Sequence, residues 1–407
     1  MIKLNEKISK IGPGALIAAA FIGPGTVTVC SIAGSSFGYT LLWAIFLSLI
    51  IALILQEMSI RVGIISQKGL TELIKTEFKN SLLKKMLIIL IFTAIIIGNT
   101  AYEAGNIGGA ILGLESLVGV LAYKFGNLNI NLSSPIIGSL AFIILYNGNY
   151  KILEKVLISI VILMSISFII SAIITKPELN KIIDGLIKFK IPKNSLLTIL
   201  GLLGTTVVPY NIFLHSSLVK RKWKKTDDLK IAKIDLLIAI ILGGLISISI
   251  MITAASISLS SISNAADLAL GLEPVYGSSS KFLMALGLIS AGLTSAITAP
   301  LAASFVACGC FGWNPDLKSF KFRSIWIIIL IIGTIISSTG IKLIIIIQFA
   351  QVTNAILLPV IVFILYYIMN NNKIFGSYSN SIFQNLIGLL IIILTFFLSI
   401  KTLSTLI

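Results

Sequence analysis

The sequence predicts an all-α polytopic membrane protein, and two observations support this prediction. First, 57% of the 407 residues are hydrophobic, only 11% are charged, and the mean hydropathy is +1.06. A soluble chain carries about 25% charged residues. Second, apolar stretches of about 20 residues recur along the chain, and this length crosses the roughly 30 Å hydrocarbon layer of a membrane. We therefore expect an integral protein of the plasma (inner) membrane that is not an enzyme.

About eleven spanning helices are expected, plus or minus one. They lie near residues 12–37, 39–65, 84–113, 133–148, 151–175, 195–219, 230–257, 279–311, 322–338, 341–370 and 382–403. The apolar run at the N-terminus continues well past residue 25, which predicts an uncleaved first helix rather than a signal peptide. The longest polar segment, residues 176–194, has the apolar spacing of a short amphipathic helix on the outer surface.

The basic residues predict the orientation of the chain in the membrane. The formal net charge is +16, and an N-terminus on the cytoplasmic side would place 22 of the 31 Lys and Arg residues in inner loops. Such loops carry the excess of positive charge in membrane proteins. With eleven helices, the C-terminus would lie outside. The cluster "KRKWKKTDD" at 220–228 is then a topology signal beside lipid headgroups, and the expected partners include the lipid bilayer but no nucleic acid.

Two prolines interrupt spans at corresponding positions. Pro24, in "FIGPGTVTV", interrupts the first span, and Pro209, in "GTTVVPYNIFLHSS", interrupts the sixth. Paired breaks of this kind are typical of transporters built from inverted repeats with discontinuous helices. The alternative is that each proline merely kinks its helix. The first interpretation gives a repeat of helices 1–5 in residues 1–175, an outer loop at 176–194, a repeat of helices 6–10 in 195–370, and helix 11 with the C-terminus in 371–407.

The breaks predict a binding site near the middle of the membrane. A proline has no N–H, so Pro24 frees the carbonyl of Ala20 and Pro209 frees that of Thr205. Unpaired carbonyls inside a membrane are costly unless water, protein or a ligand satisfies them. The polar side chains beside the breaks are all neutral; they are Thr26, Thr28, Thr206, Tyr210 and Asn211. The sequence thus indicates a site for a cation or a polar solute, without fixed charge to hold a bare divalent ion.

Two titratable residues within spans are candidates for proton relay. Glu103 lies inside the third span, where an acid is costly and is commonly functional. His215, the only histidine, follows Pro209 by six residues. For both, a purely structural role is the alternative. Glu57 is expected to pair with Arg61 four residues later. The three cysteines fit buried apolar positions better than a disulfide or a metal site, and no cofactor or catalytic residue is expected.

Several stretches resemble the Nramp divalent-metal transporters. "GPGALIAAAFIGPGTVTVCSIAGSSFGYTLLWAIFLSLIIALILQ" resembles their opening, and "GTTVVPYNIFLHSSLV" their sixth helix. "LISAGLTSAITAPLA" and "AQVTNAILLPVI" extend the similarity to helices eight and ten. The resemblance implies the LeuT-type fold with a 5+5 inverted repeat, broken helices 1 and 6, and proton-coupled uptake of manganese or iron. It implies a metal site with an Asp-Pro-Gly-Asn motif in helix one and a Met-Pro-His motif in helix six.

The side chains that the family uses for its metal are replaced here. The two motifs read Gly23-Pro24-Gly25-Thr26 and Val208-Pro209-Tyr210. A second family aspartate of helix one falls at Cys30, and one of helix three at Thr100. Glu103 and His215 match the family's acid and base positions. The candidate substrate-binding residues are Ala20, Gly23, Thr26, Thr205, Val208, Tyr210 and Asn354, and the metal-ligating side chains, if any, are unknown.

Three functions remain open on the sequence. The first is a secondary transporter, of the symporter type, for a cation other than manganese or iron; Mg²⁺ fits because it keeps its waters. The second is a transporter of a small organic solute such as an amino acid, held by half-helix ends. The third is a non-transporting sensor. In the first two, the partner is a small ion or molecule together with a possible coupling proton.

Overall fold

A computed structural model describes residues 22–77, 81–125, 128–148, 151–257 and 262–406. The first half of the chain contains seven helices and one antiparallel hairpin. They are α1 (Pro24–Phe37), α2 (Leu42–Ser66), α3 (Leu70–Glu77), α4 (Ser81–Val118), β1 (Ala122–Phe125), β2 (Leu128–Asn131), α5 (Ser133–Asn147), α6 (Lys151–Ile174) and α7 (Leu179–Ile187).

The second half of the described chain is entirely helical apart from its connections. It contains α8 (Leu196–Thr206), α9 (Pro209–Lys222), α10 (Leu229–Ser256), α11 (Ala265–Ala269), α12 (Glu273–Tyr276), α13 (Ser280–Phe311), α14 (Phe320–Ser338), α15 (Leu343–Met369), α16 (Asn372–Phe375) and α17 (Ile382–Leu406). Short 3₁₀ turns at Thr226–Asp228, Leu270–Leu272, Gly277–Ser279 and Gly376–Tyr378 adjoin these helices.

Every predicted span coincides with helix where the structure describes it. Within the described residues, nine stretches are long and apolar enough to cross a membrane, and α5 is a shorter apolar helix. The eleventh location is α1, which begins at Pro24; residues 12–21 of the predicted first span, including Ala20, lie outside the described residues. The predicted amphipathic segment is also helical, as α7.

Glycines at four-residue spacing let α4 approach three different helices. A Cβ added to Gly105 would lie 2.9 Å from the Ala350 Cβ of α15, and one added to Gly109 would lie 2.1 Å from the Pro24 Cβ of α1. A Cβ on Gly113 would lie 2.5 Å from the Ala285 carbonyl oxygen of α13. Small residues at such positions allow membrane helices to pack closely. Packing is thus the observed role of these glycines, and α4 contacts α1, α13 and α15 through them.

Large apolar side chains cover the outside of the helix bundle. Ile89 on α4 is 65% exposed, Ile173 on α6 is 70% exposed, and Phe396 on α17 is 57% exposed. Surfaces of this kind are unfavourable in water and are stabilised by lipid chains. Neutral polar side chains such as Thr26, Thr205 and Asn354 are instead buried within the bundle. This distribution is that of a protein with a lipid-facing exterior and a mainly apolar interior that holds some polar side chains.

Candidate functional site

The break in the sixth predicted span is a two-residue interruption between α8 and α9. Helix α8 ends at Thr206, and α9 begins at Pro209 with Val208 as its extended N-cap residue (φ −81°, ψ 120°). Val207 donates its N–H to the Leu203 carbonyl at 2.8 Å, which closes the last turn of α8. Because Pro209 has no N–H, the Thr205 carbonyl lacks its helical donor. The structure therefore confirms a discontinuous helix rather than a gentle kink.

In the described part of the first predicted span, helix α1 also begins at its proline. Gly23 is the extended N-cap residue of α1 (φ −97°, ψ 174°), and Pro24 occupies the first turn. The Gly23 carbonyl accepts the N–H groups of Thr26 at 3.1 Å and Val27 at 3.3 Å. Proline at a helix start is tolerated because its missing N–H would be unpaired there in any case. Both prolines thus mark N-termini of half-helices inside the bundle.

The two breaks meet through a pair of threonines. The Thr26 hydroxyl of α1 lies 2.8 Å from the Thr205 hydroxyl of α8, and both side chains are buried. These residues are separated by 179 positions in the chain. The structure thus brings together two of the candidate residues that the sequence placed on different spans. The contact sets the first turn of one half-helix against the last turn of another.

Gln351 of α15 borders both breaks and was not among the candidate residues. A Cβ added to Gly25 would lie 2.2 Å from the Gln351 Nε2 atom, and one added to Gly204 would lie 1.8 Å from the Gln351 carbonyl oxygen. The side chain is 1% exposed, and its Oε1 atom has no hydrogen-bond partner among the described residues. A buried amide oxygen of this kind is available to a ligand. The sequence signal was present, because Gln351 and Asn354 are buried polar residues three positions apart in a largely apolar helix.

Two tyrosines and a serine close another side of the site. The rings of Tyr102 on α4 and Tyr210 on α9 pack edge to face with centroids 5.7 Å apart. A Cβ added to Gly23 would lie 3.5 Å from both the Tyr102 hydroxyl and the Ser295 hydroxyl of α13. Gly23 and Tyr210 are therefore brought to the same region through Tyr102. Sequence reasoning missed Tyr102 and Ser295 as lining residues because spacing alone does not give the rotation of a helix about its axis.

The remaining candidates lie farther along the same helices. Asn354 is one helical turn beyond Gln351 and faces α4, where its Oδ1 atom would lie 3.4 Å from a Cβ on Gly98. Its Nδ2 atom, and both polar atoms of the Asn211 side chain on α9, have no hydrogen-bond partner among the described residues. Val208 contributes backbone rather than a polar side chain. Ala20 lies outside the described residues, so its predicted carbonyl cannot be placed.

The two proton-relay candidates are fully buried, and they contact different helices. Glu103 packs against Gly333 of α14, where a Cβ would lie 2.7 Å from its Cγ atom, and it accepts one long hydrogen bond of 3.4 Å from Asn106. His215 lies 2.7 Å from the Gln56 side-chain oxygen of α2 through its Nδ1 atom. Glu103 Oε1 and His215 Nε2 have no partner among the described residues. Both groups therefore keep one free polar atom inside the bundle.

The described residues contain no group of three or more His, Cys, Asp or Glu side chains that could together hold a metal ion. Cys30, Cys308 and Cys310 are free and buried. The donors around the breaks are hydroxyls, amides and backbone groups, which are hard oxygen and nitrogen ligands. Such a set does not suit ions that prefer thioether or thiolate ligands. It is compatible with a hydrated ion or with a polar solute.

The predicted ion pair at the end of α2 is also present. Arg61 lies 2.9 Å from the Glu57 carboxylate, and Lys233 of α10 lies 2.7 Å from the other oxygen of that carboxylate. The Arg61 guanidinium also donates to the Tyr378 carbonyl at 2.9 Å and to the Asn380 side chain at 2.8 Å. This network links α2 to α10 and to the connection before α17. It lies away from the two breaks and stabilises the end of the bundle.

The bundle, with one helix broken before Pro209 and another that begins at Pro24, defines an integral membrane protein of the LeuT-type fold. A family model described as "Natural resistance-associated macrophage protein-like", Nramp, matches residues 14–405. The chain therefore belongs to the Nramp family. This result confirms the resemblance found in the sequence motifs.

Curated relatives and solved structures agree with this assignment. The divalent metal cation transporter MntH of Bacillus subtilis is 29% identical over 414 residues, covering 96% of this chain and 92% of the relative. MntH of Pectobacterium carotovorum is 29% identical over 74% of this chain and 73% of the relative.

Among solved structures, a manganese transporter of Eremococcus coleocola superposes with a TM-score of 0.76 at 19% identity, covering 98% of this chain and 86% of that one. MHP1, a nucleobase-cation-symport-1 family transporter, superposes with a TM-score of 0.58 at 15% identity, covering 90% of this chain and 81% of that one. These two similarities concern the fold.

Proposed function

We propose that the chain is a secondary active transporter of a small cation, with selectivity moved away from manganese and iron. Membership of the Nramp family and the MntH relatives support cation transport. The observation that carries the proposal is the Thr26–Thr205 contact, which joins the two helix breaks through neutral hydroxyls. Gly23 and Val208 beside these breaks stand where the family motifs have an aspartate and a methionine. Mg²⁺ is the divalent ion that this donor set favours, because Mg²⁺ retains waters and takes oxygen ligands.

The substrate would contact side chains from three helices. Thr26 and Thr205 would supply hydroxyl oxygens, Gln351 its unpartnered Oε1 atom, and the helix break the Thr205 carbonyl. None of these groups carries a formal charge. A cation would therefore keep part of its hydration shell, since full dehydration of a dication needs carboxylate ligands to offset its cost.

A second candidate is a small solute that carries an anionic group, such as the carboxylate of an amino acid. The observation that favours it is that α1 and α9 both begin at the breaks, so that their N-termini carry partial positive charge inside the bundle. The Asn211 amide, buried in the first turn of α9, has no partner among the described residues and could donate to such a group. In transporters with broken helices, half-helix N-termini bind anionic substrate groups.

Proton coupling is a further part of the proposal. Glu103 and His215 would carry the proton, because each is buried and each has one polar atom without a partner among the described residues. The inverted repeats at 1–175 and 195–370, the cytoplasmic N-terminus and the external C-terminus complete the proposed arrangement. The paired breaks at Pro24 and Pro209 support the repeats, and the distribution of Lys and Arg supports the orientation.

Binding and flux measurements on the purified chain test the two candidates. Isothermal titration with Mg²⁺, Mn²⁺ and Ca²⁺, followed by uptake into proteoliposomes, should show Mg²⁺ binding and flux with weaker Mn²⁺ binding. Thr26→Val and Gln351→Leu should reduce the flux. Thr298→Val is the matched control, because the Thr298 hydroxyl bonds the Thr294 carbonyl of its own helix. If no divalent ion binds at millimolar concentration while a small carboxylate solute raises the thermal midpoint, the second candidate replaces the first.

A further inference from the structure

The α7 segment presents an apolar flank that is largely exposed in the described chain. Leu179, Ile183 and Ile187 recur every four residues and are 71%, 52% and 67% exposed. Residues with this spacing lie along one side of a helix. Two residues that follow the helix, Phe189 and Ile191, are 70% and 54% exposed. We call these five side chains the α7 flank.

A different side of α7 is fixed to the protein. A Cβ added to Gly185 would lie 2.1 Å from the Tyr39 carbonyl oxygen, so the backbone of α7 rests directly on the connection between α1 and α2. Ile182 and Leu186 are partly buried against the apolar core cluster that Tyr39 also contacts. The Trp43 ring N–H donates to the Lys190 carbonyl at 2.9 Å and packs against Phe189. The orientation of the α7 flank is therefore set by packing.

The charged residues of α7 lie on a third side. Lys181 pairs with Glu178 at 2.7 Å, and Lys188 pairs with Asp184 at 2.6 Å. With Lys176, Lys190 and Lys193, the segment 176–193 carries five lysines and two acids. A helix with one apolar side, one polar side and an excess of lysine is typical of helices that lie in a membrane interface.

The position of α7 in the chain places it at a membrane face. It follows α6, whose last residues Ile173 and Ile174 are exposed apolar side chains on a spanning helix, and it precedes α8, which begins the next span at Leu196. This order along the chain puts α7 near the level where the spanning helices leave the hydrocarbon. Lysines at this level would lie beside phosphate groups.

We propose that α7 is a lipid-binding interfacial helix, with the α7 flank inserted among the acyl chains of one leaflet and its lysines against anionic headgroups. The occupant is therefore phospholipid rather than a partner protein. The anchored side of α7 contacts the connection that follows α1, so the bound leaflet holds this end of the half-helix in place.

Site-directed fluorescence in lipid nanodiscs tests the proposal on the full chain. Ile183→Cys places a label on the α7 flank, and Lys181→Cys is the matched control on the charged side of the same helix. The three natural cysteines are buried, so the unchanged chain gives the labelling background. We expect lipids with a spin label near the top of the acyl chain to quench the Ile183 label about twofold more than the Lys181 label, with the reverse order for aqueous iodide. Equal quenching at both positions would overturn the insertion.

A second labelled position and a change of lipid composition complete the test. Leu179→Cys is an alternative probe of the same flank if Ile183→Cys does not fold, since Leu179 is 71% exposed. Replacing part of the phosphatidylcholine by phosphatidylglycerol should increase the difference between the two labels, because the lysines attract anionic headgroups. An unchanged difference would remove the headgroup part of the proposal. Protection of both labels from iodide, without quenching by lipid, would show that a protein rather than lipid covers the flank.

Discussion

The hydroxyls of Thr26 and Thr205 lie 2.8 Å apart in the interior of the bundle, although they belong to different halves of the chain. Thr26 lies in the first turn of α1, and Thr205 lies in the last turn of α8. Each residue is next to a proline-induced break, so the contact defines where the two breaks meet. Substitutions at this contact and at other positions of the bundle test the arrangement.

The threonine contact predicts coupling between two substitutions. Thr26→Val and Thr205→Val each remove one hydroxyl while keeping the volume of the side chain. We expect the double variant to lose less stability than the sum of the single variants, by about 1 kcal/mol, which is the usual net value of a hydrogen bond. Denaturation of the purified protein in detergent measures the four free energies of unfolding. Strictly additive losses would contradict a hydrogen bond between the two hydroxyls.

Gly204→Ala is expected to destabilise the protein. The new Cβ would lie 1.8 Å from the Gln351 carbonyl oxygen and 2.8 Å from its carbonyl carbon, and backbone cannot move away as a flexible side chain can. We expect a loss of about 1–3 kcal/mol, typical of overpacked interiors. Gly108→Ala is the control, because its Cβ would find its nearest neighbour at 3.7 Å, an ordinary contact. Similar thermal midpoints for both variants would mean that α8 and α15 are not so closely packed.

Glu103→Gln is expected to abolish coupled uptake while leaving folding intact. Gln keeps the shape of the side chain and the acceptor for Asn106 but cannot carry a proton. Uptake into proteoliposomes with and without a pH gradient measures the effect. Glu115→Gln, on the same helix, is the control, because Gln retains an oxygen for Asn131 and Ser133. Unchanged pH-dependent transport in Glu103→Gln would assign Glu103 a structural role only.

The Glu72–Lys220 ion pair predicts a pH dependence of stability. Burial raises the pKa of the Glu72 carboxyl, but the hydrogen bonds from Lys220 and the Gly69 N–H outweigh burial and hold the pKa below its ordinary value of 4.5. A carboxyl with a lowered pKa stabilises the fold above its ordinary pKa, and this contribution is lost as pH falls through the folded value. Glu72→Gln should therefore lower the thermal midpoint near neutral pH, and its difference from the unchanged chain should shrink below pH 4.5.

Lys220→Met provides the matched variant for this pair, because it removes the partner and leaves the carboxyl. Lys220→Met should remove most of the pH-dependent stabilisation that Glu72→Gln removes. Because the Glu72 side chain is 47% exposed, the effect is expected to be small and to decrease in high salt. Parallel pH profiles for the unchanged chain and both variants would show that the pair does not stabilise the fold.

The fold was predictable from sequence because membrane spans depend on local composition. Runs of apolar residues located the nine spans and the shorter apolar helix α5 that the described residues contain, and proline chemistry located the break at Pro209. The hairpin β1–β2 and the short helices α3, α11 and α12 were not predicted, because these segments carry no long apolar run. Tertiary contacts decide such short elements.

The candidate site was predictable only in part. Proline and its missing N–H identified Thr26, Thr205 and Tyr210 from local chemistry alone. Gln351, Tyr102 and Ser295 lie on unbroken helices, and which residue of such a helix faces the breaks depends on its rotation against its neighbours. Glu103 illustrates the same limit, because it follows Tyr102 directly but faces α14, whereas Tyr102 faces Tyr210.

The contact between Gly109 and Pro24 has a mechanical consequence for α1. A helix that touches its neighbour through a glycine can tilt about that point, but it cannot slide along the neighbour without striking the next side chain. We expect α1 to act as a lever with Gly109 of α4 as its fulcrum. A small displacement at the end held by α7 would then turn α1 about its first residue, while Gly23, directly beside the contact, would stay nearly in place.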